Sequence, residues 1–369
     1  MSSLLKTPFF PEPSFNHGQA ERTAVLYCNL GTPSSPNTKD VRRFLGEFLN
    51  DHRVVEIPRL IWLLILHFII LRFRPAKSAA KYSSIWTPAG SPLQVHTSEQ
   101  ARSLEAFLKH KGHHLIVRYA MRYGDHSIED ELKNLKQEGI SRILILPAYP
   151  QYSATTTASL FDSVYGWAKK TRLIPELRFV NHYHDNLSYI KALANSIKKH
   201  WEINGHPEQL VMSFHGVPER TLHLGDPYHC ECLKTARLLS EELNLMKNQY
   251  RVTFQSRLGR AKWLEPYTEP SLIKMAKEGI KKVDLICPGF TSDCLETLEE
   301  IDIEARAAYL GAGGQSFNYI TCLNNSDDFI KALGEITEQH LLGWPTYQVP
   351  NLEKLAISRD TAISLGASQ

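Results

Sequence analysis

The sequence predicts an α/β fold of two similar domains facing each other, each built on a four-stranded parallel β-sheet flanked by helices. Three observations carry that reading. Short apolar, β-branched runs recur in two groups of four, amphipathic stretches separate them, and 369 residues are many for one core. Domains average roughly 100–200 residues. Near-continuous apolar strands that alternate with helices mark parallel sheets covered on both faces.

Taken in order, residues 1–22 read as a loose leader with Pro8, Pro11, Pro13 and only a short Phe9-Phe10 pair. No apolar core followed by small residues marks a secretory signal there. The N-terminal domain, 23–185, draws its strands from Thr23–Leu30, Leu115–Met121, Arg142–Leu146 and Leu177–Asn181. The C-terminal domain, 186–326, draws them from Leu210–His215, Arg251–Gln255, Lys282–Cys287 and Phe317–Thr321. A helix over 327–342 closes the chain and is expected to cross back to the first domain. The stretch 343–369, with two prolines and no cysteine, is expected to be irregular.

One segment of the first domain, 60–77, stands apart. Leu60 to Leu71 is a run of apolar residues broken only by His67 and followed by Arg72, Arg74 and Lys77. A spanning helix needs about 20 apolar residues, so this run is too short to cross a bilayer. Three readings stay open: a buried helix, which is the usual explanation, an apolar lip over a cleft, or a patch that touches the bilayer surface.

Composition narrows the function. With 43% hydrophobic and 22% charged residues the chain reads as an ordinary soluble globular protein. The net charge of +3 gives no reason to expect nucleic acid, which calls for clustered and excess basic residues. Cys28, Cys230, Cys232, Cys287, Cys294 and Cys322 are scattered without a CxxC pair, which argues against structural zinc or thioredoxin-like chemistry and suits a reducing, cytoplasmic setting.

Open parallel sheets bind ligands beyond the carboxyl ends of their strands. Those ends hold Asn29-Leu30-Gly31, Arg122-Tyr123-Gly124, Pro147 to Pro150, Ser213 to Pro218, Gln255-Ser256-Arg257 and Pro288-Gly289-Phe290. His215 ends a buried strand just before Gly216 and Pro218, which turn the backbone. An imidazole with a free nitrogen there can act as base or metal ligand near neutral pH; the plainer alternative is a histidine that merely bonds a loop carbonyl. Glu296, Glu300 and Glu304, spaced four apart after the strand end at Pro288-Gly289, predict one acidic helix stripe able to lead a cation or protons to the cleft. Against this, Asp293 and Glu296 fit a capping-box-like pair, and Glu299, Glu300 and Glu304 suit a solvated face, the reading preferred for Glu304. One imidazole and one carboxylate make a thin metal site, suited to an ion that must be handed on.

Seven motifs in order then carry a family resemblance: Asn29-Leu-Gly-Thr-Pro33, Gly90-Ser-Pro-Leu93, Ser213-Phe-His-Gly-Val-Pro218, Gly225-Asp-Pro-Tyr228, Phe254-Gln-Ser-Arg257, Trp263-Leu264 and Ser292-Asp-Cys-Leu-Glu-Thr-Leu298. The pattern resembles the ferrochelatases, most of all the protoporphyrin-using enzymes of Gram-negative bacteria, from about Thr23 to Leu342. The resemblance implies two Rossmann-like domains of the chelatase kind and insertion of Fe2+ into protoporphyrin IX to give protohaem. It implies His215 and Glu296 as catalytic and metal-handling residues, with Glu300 continuing a proton or iron path. It places Asn29, Leu30, Arg122, Tyr123 and Trp263 around the porphyrin. Its apolar pocket mouth favours the lip reading of 60–77.

Two departures inform further. Cys294 stands where animal members hold histidine, and the tail lacks the cysteine cluster of their [2Fe-2S] centre. No iron–sulfur cluster and no permanently bound metal are expected, Fe2+ being substrate. The resemblance further leads us to expect a monomer in the cytoplasm with peripheral contact to the inner membrane. Three other readings remain in play: a coproporphyrin ferrochelatase, a non-catalytic haem- or metal-binding module, and a nucleotide enzyme. The last is weak, because Gly311-Ala-Gly-Gly314 precedes a strand instead of opening a helix.

Overall fold

In the computed structural model, which describes residues 7–257, 259 and 261–368, all eight expected strands form. The first sheet holds β1 (Arg22–Thr32), β2 (Leu115–Gly124), β3 (Ile140–Pro147) and β4 (Glu176–Phe179) in the order β2-β1-β3-β4. The second holds β5 (Gln209–His215), β6 (Tyr250–Gln255), β7 (Lys282–Ile286) and β8 (Ser316–Ile320) in the matching order β6-β5-β7-β8. Every ladder is parallel. The two halves therefore repeat one topology, with the first strand of each near the sheet centre.

The burial pattern shows why these runs are strands. Along β1, Ala24, Leu26 and Cys28 enter one apolar cluster and Val25 and Tyr27 another, the two-residue alternation of a sheet covered on both faces. The cluster containing Val25 and Tyr27 continues through the Leu187–Asn204 and Asp327–Leu341 helices to Leu210, Met212 and Phe214 of β5. The Asp327–Leu341 helix packs on both the Leu187–Asn204 and the Pro92–His110 helices. Buried Gln100 ties the halves together: its amide donates to the Thr291 and Asn324 carbonyls, and its oxygen accepts from Tyr27 and Ser292.

The tail departs from expectation. Leu352–Ser364 is a helix, begun by Asn351, whose side chain accepts from the Lys354 N–H. The start signal is Asn351 itself, a favoured N-cap residue just before the helical run. The described part of the leader runs without a regular element up to β1, and the Phe10 N–H donates to the Lys170 carbonyl at 2.8 Å.

Candidate active site

The end of β5 fixes His215. Its strand neighbour across β6 is Gln255, and the Gly216 N–H donates to the Gln255 carbonyl at 2.6 Å. A Cβ at Gly216 would stand 2.9 Å from that carbonyl oxygen, so only glycine turns the chain there. His215 Nδ1 lies 2.6 Å from the Gly216 carbonyl. A carbonyl only accepts, so Nδ1 carries a proton, and in the neutral ring Nε2 is the nitrogen that carries the lone pair. The loop-carbonyl bond and the free nitrogen expected from sequence are thus one arrangement. The rings of Phe290 and Trp263 stand 6.4 and 6.5 Å from the imidazole, and Trp263 pairs with Pro218 in an isolated bridge.

The acidic groups arrive from the segment after β7. Gln255 Nε2 donates to the Glu296 carbonyl at 2.7 Å, and the next residue, Ser256, gives its N–H to Glu300 Oε1 at 2.7 Å and its hydroxyl to Oε2. The end of β6 therefore ties Glu296 and Glu300 beside the strand that carries His215. Farther back, buried Asp293 accepts from Thr297 and Tyr319 hydroxyls, the Cys322 N–H and Asn324 Nδ2. This clamp holds the turn in place.

Two expectations for this segment fail. The capping pair is Cys294 with Thr297, not Asp293 with Glu296. The stripe of three acids also breaks, because Glu300–Ala305 is a π-turn in which the Glu304 N–H reaches back five residues to the Glu299 carbonyl. That wider turn puts Glu299 and Glu304 together on Lys81, at 2.9 and 2.8 Å. Glu304 leaves the path and Glu299 is buried, so neither joins Glu296 and Glu300, and the fully solvated reading fails for Glu299.

Burial raises the Glu300 carboxyl above its usual range; the Ser256 bonds and the His215 charge pull it down, and Glu296 pushes it up. Burial and the adjoining Glu296 likewise raise the Cys294 thiol well above its ordinary value. A carboxyl raised on folding contributes stability that is present below its unfolded pKa and lost as pH rises through its folded one. Glu300→Gln keeps the shape and removes the charge. We expect its Tm at pH 8 to equal or exceed that of the unaltered chain, with slower metal insertion; a Tm lowered at pH 8 would contradict this.

On the first sheet, Arg122 and Tyr123 line a cavity of about 630 Å³ with Glu47, Asn50, Asp51 and Arg59. Asp51 Oδ2 accepts from Arg122, from the Tyr123 hydroxyl and from the Ser159 hydroxyl, at 2.6, 2.8 and 2.6 Å. Burial works to raise the Asp51 carboxyl, yet Ser159, the Arg53 N–H, Tyr123 and the Arg122 charge hold it below its usual range. Asn29 is buried, donating to Thr97 and accepting from the Leu30 N–H, so it braces the wall from behind, whereas half-buried Leu30 packs at the edge of the cluster around Tyr82 and Tyr123. A second cavity of about 270 Å³ lies between the halves, lined by Arg53, Val54 and Tyr152 on one side and Pro218, Thr221 and Asp226 on the other. The second cavity is thus an interdomain cleft, whereas the first is lined from the N-terminal half alone, and His215, Trp263, Glu296 and Glu300 line neither cavity.

The ferrochelatase family model matches residues 22–341. The chain belongs to the ferrochelatase family. It is 62% identical over 363 residues to a ferrochelatase of Polaromonas sp. strain JS666, covering 97% of this chain and 99% of that one. It is 61% identical over 357 residues to a ferrochelatase of Methylibium petroleiphilum, covering 97% and 98%. Among solved structures, SirB from Bacillus subtilis with Fe3+ superposes with a TM-score of 0.53 at 12% identity, over 89% of this chain and all of that one, a likeness of fold.

Within this ferrochelatase, sequence reasoning missed Asp51 and Ser159, which lie 71 and 37 residues from Arg122, and Tyr82, whose buried hydroxyl neighbours Glu296 and Cys294. No local pattern marks them. Of the three readings of the apolar run, one is excluded. Only Trp62 and Leu66 of it are buried, while Leu60 is 81% and Phe68 70% exposed, with Ile61, Leu64, Ile69 and Phe73 alongside. The buried-helix reading fails. Arg59–Ile65, a π-turn at Leu66–Ile70 and Leu71–Ile85 form this arm, and its last helix packs on Thr38–Leu49 and on the Leu295–Leu298 turn that bears Glu296. Arg72, Arg74 and Lys77 are exposed beside it. Among the described residues no helix is long and apolar enough to cross a membrane.

Proposed function

We propose that this ferrochelatase inserts Fe2+ into protoporphyrin IX, yielding protohaem and two protons, with His215 opposite the ring and Glu296 and Glu300 as its acidic partners. The observation that carries this reading is the Gln255-Ser256 clamp, which holds the Glu296 backbone and the Glu300 carboxylate next to the strand that ends in His215. A flat porphyrin directs its inner lone pairs into the ring, so an approaching cation meets them only when the ring bends. A pocket that favours the bent ring over the flat one lowers the barrier. Two inner N–H protons must leave as the metal enters, and the Nε2 lone pair of His215 and the Glu296–Glu300 carboxylates are the acceptors at hand.

Leu30, Arg122, Tyr123 and Trp263 form the surrounding surface in this reading, with Asn29 behind it. We divide the chain near Asp185 into its two domains, treat it as a monomer without a resident cofactor, and place it in the cytoplasm. The exposed apolar arm with Arg72, Arg74 and Lys77 supports peripheral contact with the inner membrane.

The arm also favours protoporphyrin over coproporphyrin, since vinyl groups suit an apolar mouth and two further propionates do not. Desolvating polar groups without partners costs about 1–3 kcal/mol each. In parallel anaerobic assays we expect kcat/KM to favour protoporphyrin by at least about 10-fold. Equal or reversed preference would assign the coproporphyrin reaction instead, and stoichiometric binding without turnover would reduce the chain to a binding module.

A further inference from the structure

Outside the cleft, three side chains converge in a manner the insertion reaction does not use. His182 and His184 lie two apart on the extended stretch after β4, with Tyr183 between them buried in the core. The two-residue period turns both imidazoles to one side, and their rings stand 4.9 Å apart. Glu231, in the first turn of the Tyr228–Glu242 helix, reaches up between them. His182 Nδ1 is 2.7 Å from Glu231 Oε1 and His184 Nδ1 is 3.2 Å from Oε2. One donor atom from each residue falls within 4.8 Å of the others.

The geometry leaves a fault that a simple His–Glu pair does not explain. His184 is 5% exposed, and its Nδ1, although 3.2 Å from Glu231 Oε2, lies off the line of a hydrogen bond and has no other partner. A buried polar atom without a partner costs about 1–3 kcal/mol. Its surroundings are otherwise firmly built: the Thr235 hydroxyl donates to the His184 carbonyl at 2.8 Å, and the Tyr152 N–H donates to Glu231 Oε2 at 2.7 Å. The first fixes the His184 backbone and the second holds the Glu231 carboxylate, as outer-shell partners do around bound metals.

We propose that His182, His184 and Glu231 form a second metal site, distinct from the cleft, for one divalent transition ion such as Zn2+, Co2+ or Fe2+. Two imidazoles and one carboxylate suit these ions, whereas Mg2+ and Ca2+ take mainly oxygen donors. Bonds of about 2.0–2.1 Å in tetrahedral geometry need donors about 3.4 Å apart, so small rotations complete the site. Three protein donors leave a fourth position for water. None of the three residues lines either cavity. The ion joins the stretch after β4 to a helix of the second sheet. Through Glu231 it also bears on the loop at Tyr152, and Asp226 of the same region holds Ser153 and Ala154. Since Tyr152 and Ala154 line the cleft mouth, the site acts as a staple across the two halves.

The test uses metal-free full-length chain carrying His215→Ala, which removes the cleft imidazole. Titration with Co2+ should give one saturable site with visible ligand-field absorption, displaced by Zn2+ and not by Mg2+, and Zn2+ should raise Tm. Adding His182→Ala or Glu231→Gln should weaken Co2+ at least about 10-fold and abolish the Tm rise. Anomalous scattering from a Co2+-soaked crystal of the unaltered chain locates the ion whether or not the variants fold. Density at these three residues supports the proposal; absence of saturable Co2+ binding, binding unchanged by His182→Ala, or density elsewhere only would overturn it.

Discussion

Replacing His215 with alanine is expected to lower turnover by about 10²–10⁴-fold, the range a positioned acid or base supplies, while fold and porphyrin binding persist. The side chain is half-buried at the strand end, and its Nδ1 bond goes to the carbonyl of the adjacent residue. Truncation removes little packing and strands no distant partner, so Tm should move by only a few degrees. The Nε2 lone pair, however, is lost from the place where Glu296 and Glu300 gather. Haem formation under anaerobic conditions, thermal unfolding and porphyrin titration read the three consequences separately. Full insertion activity in a folded His215→Ala chain would remove the imidazole from the chemistry.

The second large effect falls on the scaffold. Gly31→Val is expected to destabilise the chain by about 3–5 kcal/mol, combining a disfavoured backbone with an unrelievable overlap. Gly31 has φ of +107°, and a Cβ there would lie 1.9 Å from the Tyr123 carbonyl oxygen of the neighbouring strand. That oxygen belongs to the backbone, so no rotamer change makes room. The register Gly31↔Tyr123 also sets where Arg122 and Tyr123 meet Asp51. Urea unfolding should show the midpoint falling sharply with activity lost in parallel. A loss below about 1 kcal/mol would mean β1 and β2 can part there without consequence.

How far the sequence discloses this molecule depends on how local each cause is. Strands buried on both faces announce themselves, because Val25 to Cys28 is apolar without interruption and Leu210 to Phe214 is broken only by Ser213. The polar ends of β1 are longer than the apolar run suggests, since backbone pairing of Gly31 and Thr32 with β2 continues past it. Glycine and proline after His215 were legible for the same local reason. Spacing by fours implies a stripe only on an α-helix, and one π-turn sends Glu304 to Lys81 instead. The run at Leu60–Leu71 is equally apolar whether buried or bare, so sequence alone leaves its direction open. Asp51, Ser159 and the trio of His182, His184 and Glu231 are invisible along the chain, being assembled by strand order from distant segments.

The measurement that bears most directly on the account is a crystal structure of the chain with metal-free protoporphyrin. We expect the macrocycle in the interdomain cleft, with His215 Nε2 facing the ring centre and Glu296 and Glu300 beside it. A ring seated away from His215, with the imidazole out of reach of its nitrogens, would contradict it.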